Sequence, residues 1–184
     1  MTRSLTLILG GARSGKSAFA QALAGRSGKK VLFIATATAS DEEMRARIAS
    51  HRLARPPHWE TLEAPRQVWR ALPAAPPAEW ILLDCMTLLL NNILVGFTEP
   101  IIEADYYAAV DEELEGLMAA ISKSEANWVI VSNEVGLGLV PSFPMGRFFR
   151  DALGRANQRL AGMADTVLFM VVGIPMRVKG ELPA

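Results

Sequence analysis

The chain has 184 residues, of which 51% are hydrophobic, and its 19 Lys plus Arg are matched by 19 Asp plus Glu, so the net charge is zero. That length suits a single domain, expected over residues 1–184, and the charge balance argues against a chain that binds nucleic acid in bulk. One cysteine, Cys85, leaves no internal disulfide and suits a reducing compartment, while apolar runs such as residues 166–173 fall far short of the ~20 residues of a membrane span.

The first residues run from an early arginine into a strand-like segment and then a glycine-rich loop, which is not the layout of a signal peptide. The expectation is a cytoplasmic protein with no membrane or nucleic-acid partner. Residues 5–9 (LTLIL) read as a buried strand ending in Gly10-Gly11. Residues 10–17, Gly10-Gly11-Ala12-Arg13-Ser14-Gly15-Lys16-Ser17, match G-x-x-x-x-G-K-[ST] at every fixed position. In that motif the glycines let the backbone wrap a phosphate chain, and N–H groups at the following helix's start face the anion. Lys16 is expected to reach the β and γ phosphates, and Ser17 to hold Mg²⁺ through its hydroxyl. Residues 16–24 (KSAFAQALA) form the helix, stopped by Gly25.

Residues 31–35 (VLFIA) read as a second strand. A capping box of Ser40 with Glu43 then predicts a helix, limited near Arg55 by Pro56-Pro57. Arg47, His51 and Arg55 lie four residues apart on one stripe, and Arg45 and Arg52 complete a run of four arginines with no acid among them. Such surroundings favour a neutral, nucleophilic imidazole and would clamp a phosphate. On composition alone, a solvated basic face with an incidental histidine is the simpler reading. His58, beside Trp59, reads as a packed or supporting histidine.

Residues 72–78 are a proline-rich connector. Residues 80–84 (WILLD) form a third strand whose last residue, Asp84, stands where the acid on the Mg²⁺ side of a phosphate loop is expected; a turn cap is the other reading. Cys85 reads as a buried small residue. Tyr107, Val110, Leu114, Leu117, Met118 and Ile121 make one helical stripe, residues 128–132 (WVIVS) a fourth strand, and Glu134 after it is either a proton acceptor or a cap. A second stripe at residues 148–160 and a fifth strand at 166–172 follow. The pattern is α/β, a mostly parallel sheet with helices on both faces and ligands beyond the strands' carboxyl ends.

The stretches GGARSGKS (10–17), FIATAT (33–38), DEEMRARIASHRLARPPHWETLE (41–63), ILLDCMT (81–87), SNEVGLGLVP (132–141) and GRANQRLAGMAD (154–165) together resemble the bifunctional adenosylcobinamide kinase / adenosylcobinamide-phosphate guanylyltransferase family of cobalamin biosynthesis. The phosphate loop is common to many NTPases. The histidine in RI-x-x-H-R-x-x-RP-x-x-W, combined with NEVG-x-G-x-VP, is far more specific. The resemblance implies a RecA-like P-loop NTPase sheet in each subunit of a homotrimer. It implies phosphorylation of adenosylcobinamide by ATP or GTP, then GMP transfer from GTP to adenosylcobinamide phosphate through a GMP-histidine intermediate. It places that histidine at His51, reversing the reading from composition. It also implies GTP contacts from the phosphate loop, from Thr36, Ala37 and Thr38, from Arg52, Leu53, Ala54 and Arg55, from Glu63 and from Asp84, with Ser17 and Asp84 on Mg²⁺. Two positions depart from the pattern of some relatives: Ser50 replaces a second histidine, and Asp84 a glutamate. A kinase for another small metabolite would explain the phosphate loop but leave His51 unused, and a non-catalytic nucleotide switch would need a partner-binding extension that the sequence lacks.

Overall fold

The computed structural model describes residues 3–39, 41–53 and 55–181. Seven strands form one sheet: β1 (Leu5–Gly10), β2 (Val31–Ala35), β3 (Glu60–Glu63), β4 (Trp80–Asp84), β5 (Asn127–Val131), β6 (Thr166–Val171) and β7 (Ile174–Lys179). Their order is β3-β2-β4-β5-β1-β6-β7. The first six are mutually parallel, and β7 runs antiparallel beside β6. This is the expected α/β architecture, a mostly parallel sheet with helices on both faces. One strand, β5, separates β1 from β4, so the loop after β1 and the acid ending β4 flank a gap one strand wide.

Alternation along the strands sends their side chains to two faces. Leu5, Leu7, Leu32, Ile34, Ile81, Leu83, Trp128 and Ile130 pack under α4 (Met86–Leu94), α5 (Glu103–Lys123) and α6 (Pro144–Met163). Ile8, Phe33, Leu82, Val129, Val131, Leu168 and Met170 pack under α1 (Lys16–Arg26) and Trp59. Burial on both faces is why the inner strands read as continuous apolar runs.

The expected strands and stripes are found, with ends shifted by a residue or two: α1 runs on to Arg26, β5 begins at Asn127, and β6 stops at Val171. Two strands escaped the sequence. Both β3 and β7 are edge strands with mostly exposed side chains, so neither shows an apolar run. The short helix α4 was also missed. The connector opens with α3 (Val68–Ala71) and a 3-10 turn, Leu72–Ala74, before it becomes extended. The basic helix α2 spans Glu42–Leu53, and its cap is Asp41, whose carboxylate accepts the Met44 N–H at 2.7 Å. The predicted cap Ser40 and the predicted contact Ala54 lie outside the described residues. Among the described residues no helix is long and apolar enough to cross a membrane.

Candidate active site

The site is built on the carboxyl end of β1. Gly10 (φ 147°) passes so close to β6 that a Cβ would lie 2.6 Å from the Met170 carbonyl oxygen, and Gly15 (φ 93°) is the left-handed residue from which α1 departs. Neither position tolerates a side chain. Helix α1 has no side-chain cap and no acid in its first turn, so its amino-terminal N–H groups and positive end are left for an anion. Lys16 is buried, and its Nζ donates to the Gly11 carbonyl at 2.6 Å. Burial lowers its pKa, while Cys85 and Asp84 pull it back up. The ammonium is thus held over the loop by a carbonyl, a weaker partner than a phosphate oxygen.

Asp84 ends β4 across the gap. Burial raises its pKa; a hydrogen bond from the Ser17 hydroxyl opposes this first, then the charges of His51, Lys16 and Arg55. Five of the expected site residues therefore share one electrostatic field: Lys16 and Ser17 from α1, Asp84 from β4, His51 from the last turn of α2 and Arg55 beyond its end. Nothing in the sequence spacing put the end of α2 within electrostatic reach of Asp84. His51, Arg52 and Leu53 are all exposed, so the imidazole is not locked in the interior.

Arg55 is held by three contacts. Its guanidinium stacks 4.2 Å above the Phe33 ring, its Nε donates to the His51 carbonyl at 3.2 Å, and an amino group donates to the Thr61 hydroxyl at 3.1 Å. Burial lowers its pKa, Arg52 adds to that, and Asp84 and Glu63 oppose it, which ties Arg52 and Glu63 to the same field. Arg45 turns the other way and pairs with Glu42 at 2.7 Å.

The remaining expected residues take different parts. Thr36 is wholly buried, and its hydroxyl donates to the Cys85 carbonyl and accepts the Cys85 N–H, both at 2.8 Å. That hydroxyl ties Thr36 to the backbone beside Asp84. Ala37 is half-buried and Thr38 exposed. The Thr38 hydroxyl lies 3.4 Å from Asn92 Oδ1. Asn92, which the sequence did not single out, is buried and donates to the carbonyls of Thr36 (2.7 Å) and Pro65 (2.9 Å). Cys85 is pushed up to about 11 by burial, so it stays a thiol at neutral pH. Glu134 docks its N–H on the Gly10 carbonyl at 3.0 Å, but its carboxylate accepts the N–H groups of Gly136 (2.7 Å) and Leu137 (3.0 Å). Of its two readings, the cap is the one made. His58 is exposed in the turn before β3, and only its neighbour Trp59 is packed.

No group of three or more His, Cys, Asp or Glu residues suited to a metal occurs among the described residues. The Ser17 hydroxyl beside the Asp84 carboxylate nevertheless fits Mg²⁺, which takes one or two protein oxygens and completes its shell with phosphates and water. A cavity of about 780 Å³ lined by Trp69, Trp80 and Trp128 lies at the opposite, amino ends of the strands, away from this cluster.

A family model described as cobinamide kinase / cobinamide phosphate guanyltransferase matches residues 6–178. The chain is 44% identical over 182 residues to the "Bifunctional adenosylcobalamin biosynthesis protein CobU" of Salmonella typhimurium, covering 95% of this chain and 99% of that relative. It is 43% identical to the protein of the same description from Escherichia coli K12, with the same coverage. It is also 43% identical to the "Bifunctional adenosylcobalamin biosynthesis protein CobP" of Pseudomonas aeruginosa, covering 95% and 97%. Among solved structures it is similar to the RadB recombinase, with a TM-score of 0.48, 15% identity, and coverage of 91% of this chain and 74% of that one.

Proposed function

The chain belongs to the cobinamide kinase / cobinamide phosphate guanyltransferase family, and from that premise we propose that one nucleotide seat serves two reactions in it. The first phosphorylates adenosylcobinamide with ATP or GTP. The second transfers GMP from GTP to adenosylcobinamide phosphate, giving adenosylcobinamide-GDP. The observation that carries this reading is that Asp84 bonds Ser17 and lies in the electrostatic field of His51, Lys16 and Arg55.

The residues 10–17 loop and the first turn of α1 bind the triphosphate through backbone N–H groups, and Lys16 exchanges the Gly11 carbonyl for phosphate oxygen. Ser17 and Asp84 are the residues that would hold Mg²⁺, which supplies charge neutralisation on the phosphates. In the kinase step the acceptor hydroxyl attacks the γ-phosphorus in line, the bond to the β–γ bridging oxygen breaks, the nucleoside diphosphate leaves and the hydroxyl proton passes to solvent, and His51 takes no part. In the transfer step an imidazole nitrogen of His51 forms a bond to the α-phosphorus as the bond to the bridging oxygen breaks and pyrophosphate leaves. A phosphate oxygen of adenosylcobinamide phosphate then displaces the imidazole, which returns free. Lys16, Arg52 and Arg55 offset the charge that develops on phosphorus-bound oxygen, an effect worth about 3–4 kcal/mol where such a donor is aimed well. Ala37, Thr38, Leu53 and Glu63 line the nucleotide's approach. A cytoplasmic location, supported by the single unpaired cysteine, and a homotrimeric assembly complete the reading.

The test is intact mass after incubation with GTP and Mg²⁺, which should show one added GMP per chain. His51→Ala should show none and still phosphorylate adenosylcobinamide. An adduct on His51→Ala, or loss of both activities with the fold intact, would overturn this division of labour.

A further inference from the structure

Strand β5 lies between the phosphate loop and Asp84, and its last hydrogen bonds decide what faces that gap. The N–H groups of Trp128, Ser132 and Glu134 donate to the carbonyls of Ser4 (2.8 Å), Ile8 (3.0 Å) and Gly10 (3.0 Å). The steps are even and equal on both strands, so the chain stays extended and in register with β1 as far as Glu134. Val131 lies between Ile8 and Asp84. Asn133 therefore falls beside Gly10, about 6.6 Å beyond the level of Asp84. Val129 and Val131 pack on the α1 face of the sheet, and alternation carries Asn133 to that face. Leu82 packs there too, so Asp84, two residues on, shares it.

The backbone of Asn133 is fixed on both sides. Its N–H donates to the Thr87 hydroxyl at 2.8 Å, and its carbonyl accepts the Asn157 Nδ2–H at 3.0 Å. The next N–H is the one docked on Gly10, after which the Glu134 carboxylate gathers the N–H groups of Gly136 and Leu137. The side chain is the exception. It is half-buried, and its carboxamide has no partner among the described residues. An unpaired polar group on so fixed a backbone is preorganised for a ligand.

The triphosphate seat says which ligand. Lys16 reaches the β and γ phosphates, and Mg²⁺ on Ser17 and Asp84 would bridge the same two. The γ-phosphate then belongs between the ends of β1 and β4, in front of β5. We propose that Asn133 is a γ-phosphate contact for the kinase step: its Nδ2–H donates to a γ-phosphoryl oxygen and steadies that group as it passes to the acceptor hydroxyl. In GMP transfer the γ-phosphate leaves whole within pyrophosphate, away from the reacting α-phosphorus, so the contact matters less there. The proposal rests on residues 10–17 being the triphosphate seat, and its test separates the two.

Affinities for GTP and GDP (each with Mg²⁺), the turnover of adenosylcobinamide phosphorylation and the rate of GMP adduct formation are measured on the full chain, on Asn133→Ala and on Asn133→Asp. The alanine variant should lower the kinase kcat about 100-fold, the scale of losing one aimed donor, and change adduct formation less than threefold. It should bind GTP about fivefold more weakly, the scale of one hydrogen bond, and bind GDP as before. The aspartate variant keeps the side chain's shape but repels phosphate. It should bind GTP more weakly still at unchanged GDP affinity, and it carries the test if the alanine variant does not fold. A kinase kcat within tenfold of the parent would overturn the proposal and leave the seat standing. Equal losses for GTP and GDP, or for both reactions, would also overturn it, by making Asn133 a brace of the phosphate loop. A parent chain that binds neither nucleotide would overturn the seat and the proposal together.

Discussion

Asp84 carries opposing demands. Burial raises its pKa above the ordinary 3.8, opposed by the Ser17 hydrogen bond and by electrostatic contributions from His51, Lys16 and Arg55. The folded protein therefore takes up a proton more readily than the unfolded chain. Stability falls as pH rises from 3.8 through the raised folded value, and above that window the ionised carboxylate is a net cost to the empty fold. A carboxylate held at such a cost suits the proposed Mg²⁺ partner. Asp84→Asn should accordingly raise the melting temperature of the ligand-free protein at pH 7. The same variant should lose the extra stabilisation that GTP with Mg²⁺ confers on the parent. Thermal melts with and without ligand measure both, and an unchanged or lower melting point for the empty variant would contradict this account. The phosphate loop and Asp84 were both legible in the sequence because each sits at the end of an apolar run. The tie of the Thr36 hydroxyl to the backbone was not, because its partner is Cys85, 49 residues away.

Among the elements, α3 shows how a helix too short to stand alone is kept. Its capping residue Gln67 sits at φ 51° and makes no side-chain cap. The cap comes from α5: the Glu113 carboxylate accepts the N–H groups of Gln67 at 2.5 Å and Val68 at 2.9 Å. Glu113 is buried, which raises its pKa, and those two hydrogen bonds hold the charged form against it. Glu113→Ala leaves two N–H groups without a partner and should destabilise the protein by about 2–3 kcal/mol. Glu113→Gln, which keeps one accepting oxygen, should lose less. Urea unfolding checks both, and a loss under 0.5 kcal/mol (about the noise of a surface change) for the alanine variant would show that the cap is dispensable. The apolar stripe of α5 was visible from its spacing. That a glutamate beside Leu114 faces inward was not, since periodicity marks it as an interruption.

At the scale of the whole molecule, the carboxyl edge of the sheet gathers the chemistry and the segment after β5 stays uncovered. Leu137, Leu139, Val140 and Phe143 are 69–96% exposed in one short stretch that begins where Glu134 docks on Gly10. Exposed apolar stretches of this kind mark contacts with other molecules. If they serve the proposed homotrimer, light scattering should give a mass about three times the 20.0 kDa chain. Leu139→Asp should then lower it toward one chain, and a monomeric parent would sink the assembly.

The sequence by itself determined the phosphate loop, the inner strands, the long helices and the class of chemistry. These are local: a motif of eight adjacent residues fixes its own backbone, and a strand buried on both faces announces itself in five apolar letters. The tertiary structure decided what the letters leave open. It set β3 and β7 as edges, where half-exposed strands lose their pattern, and it made Asn92 and Glu113 structural. It brought the end of α2 within electrostatic reach of Asp84, although His51 and Asp84 are far apart in the chain. Such meetings depend on the crossing of the sheet by separate connections, and no spacing within a single segment records where those connections land.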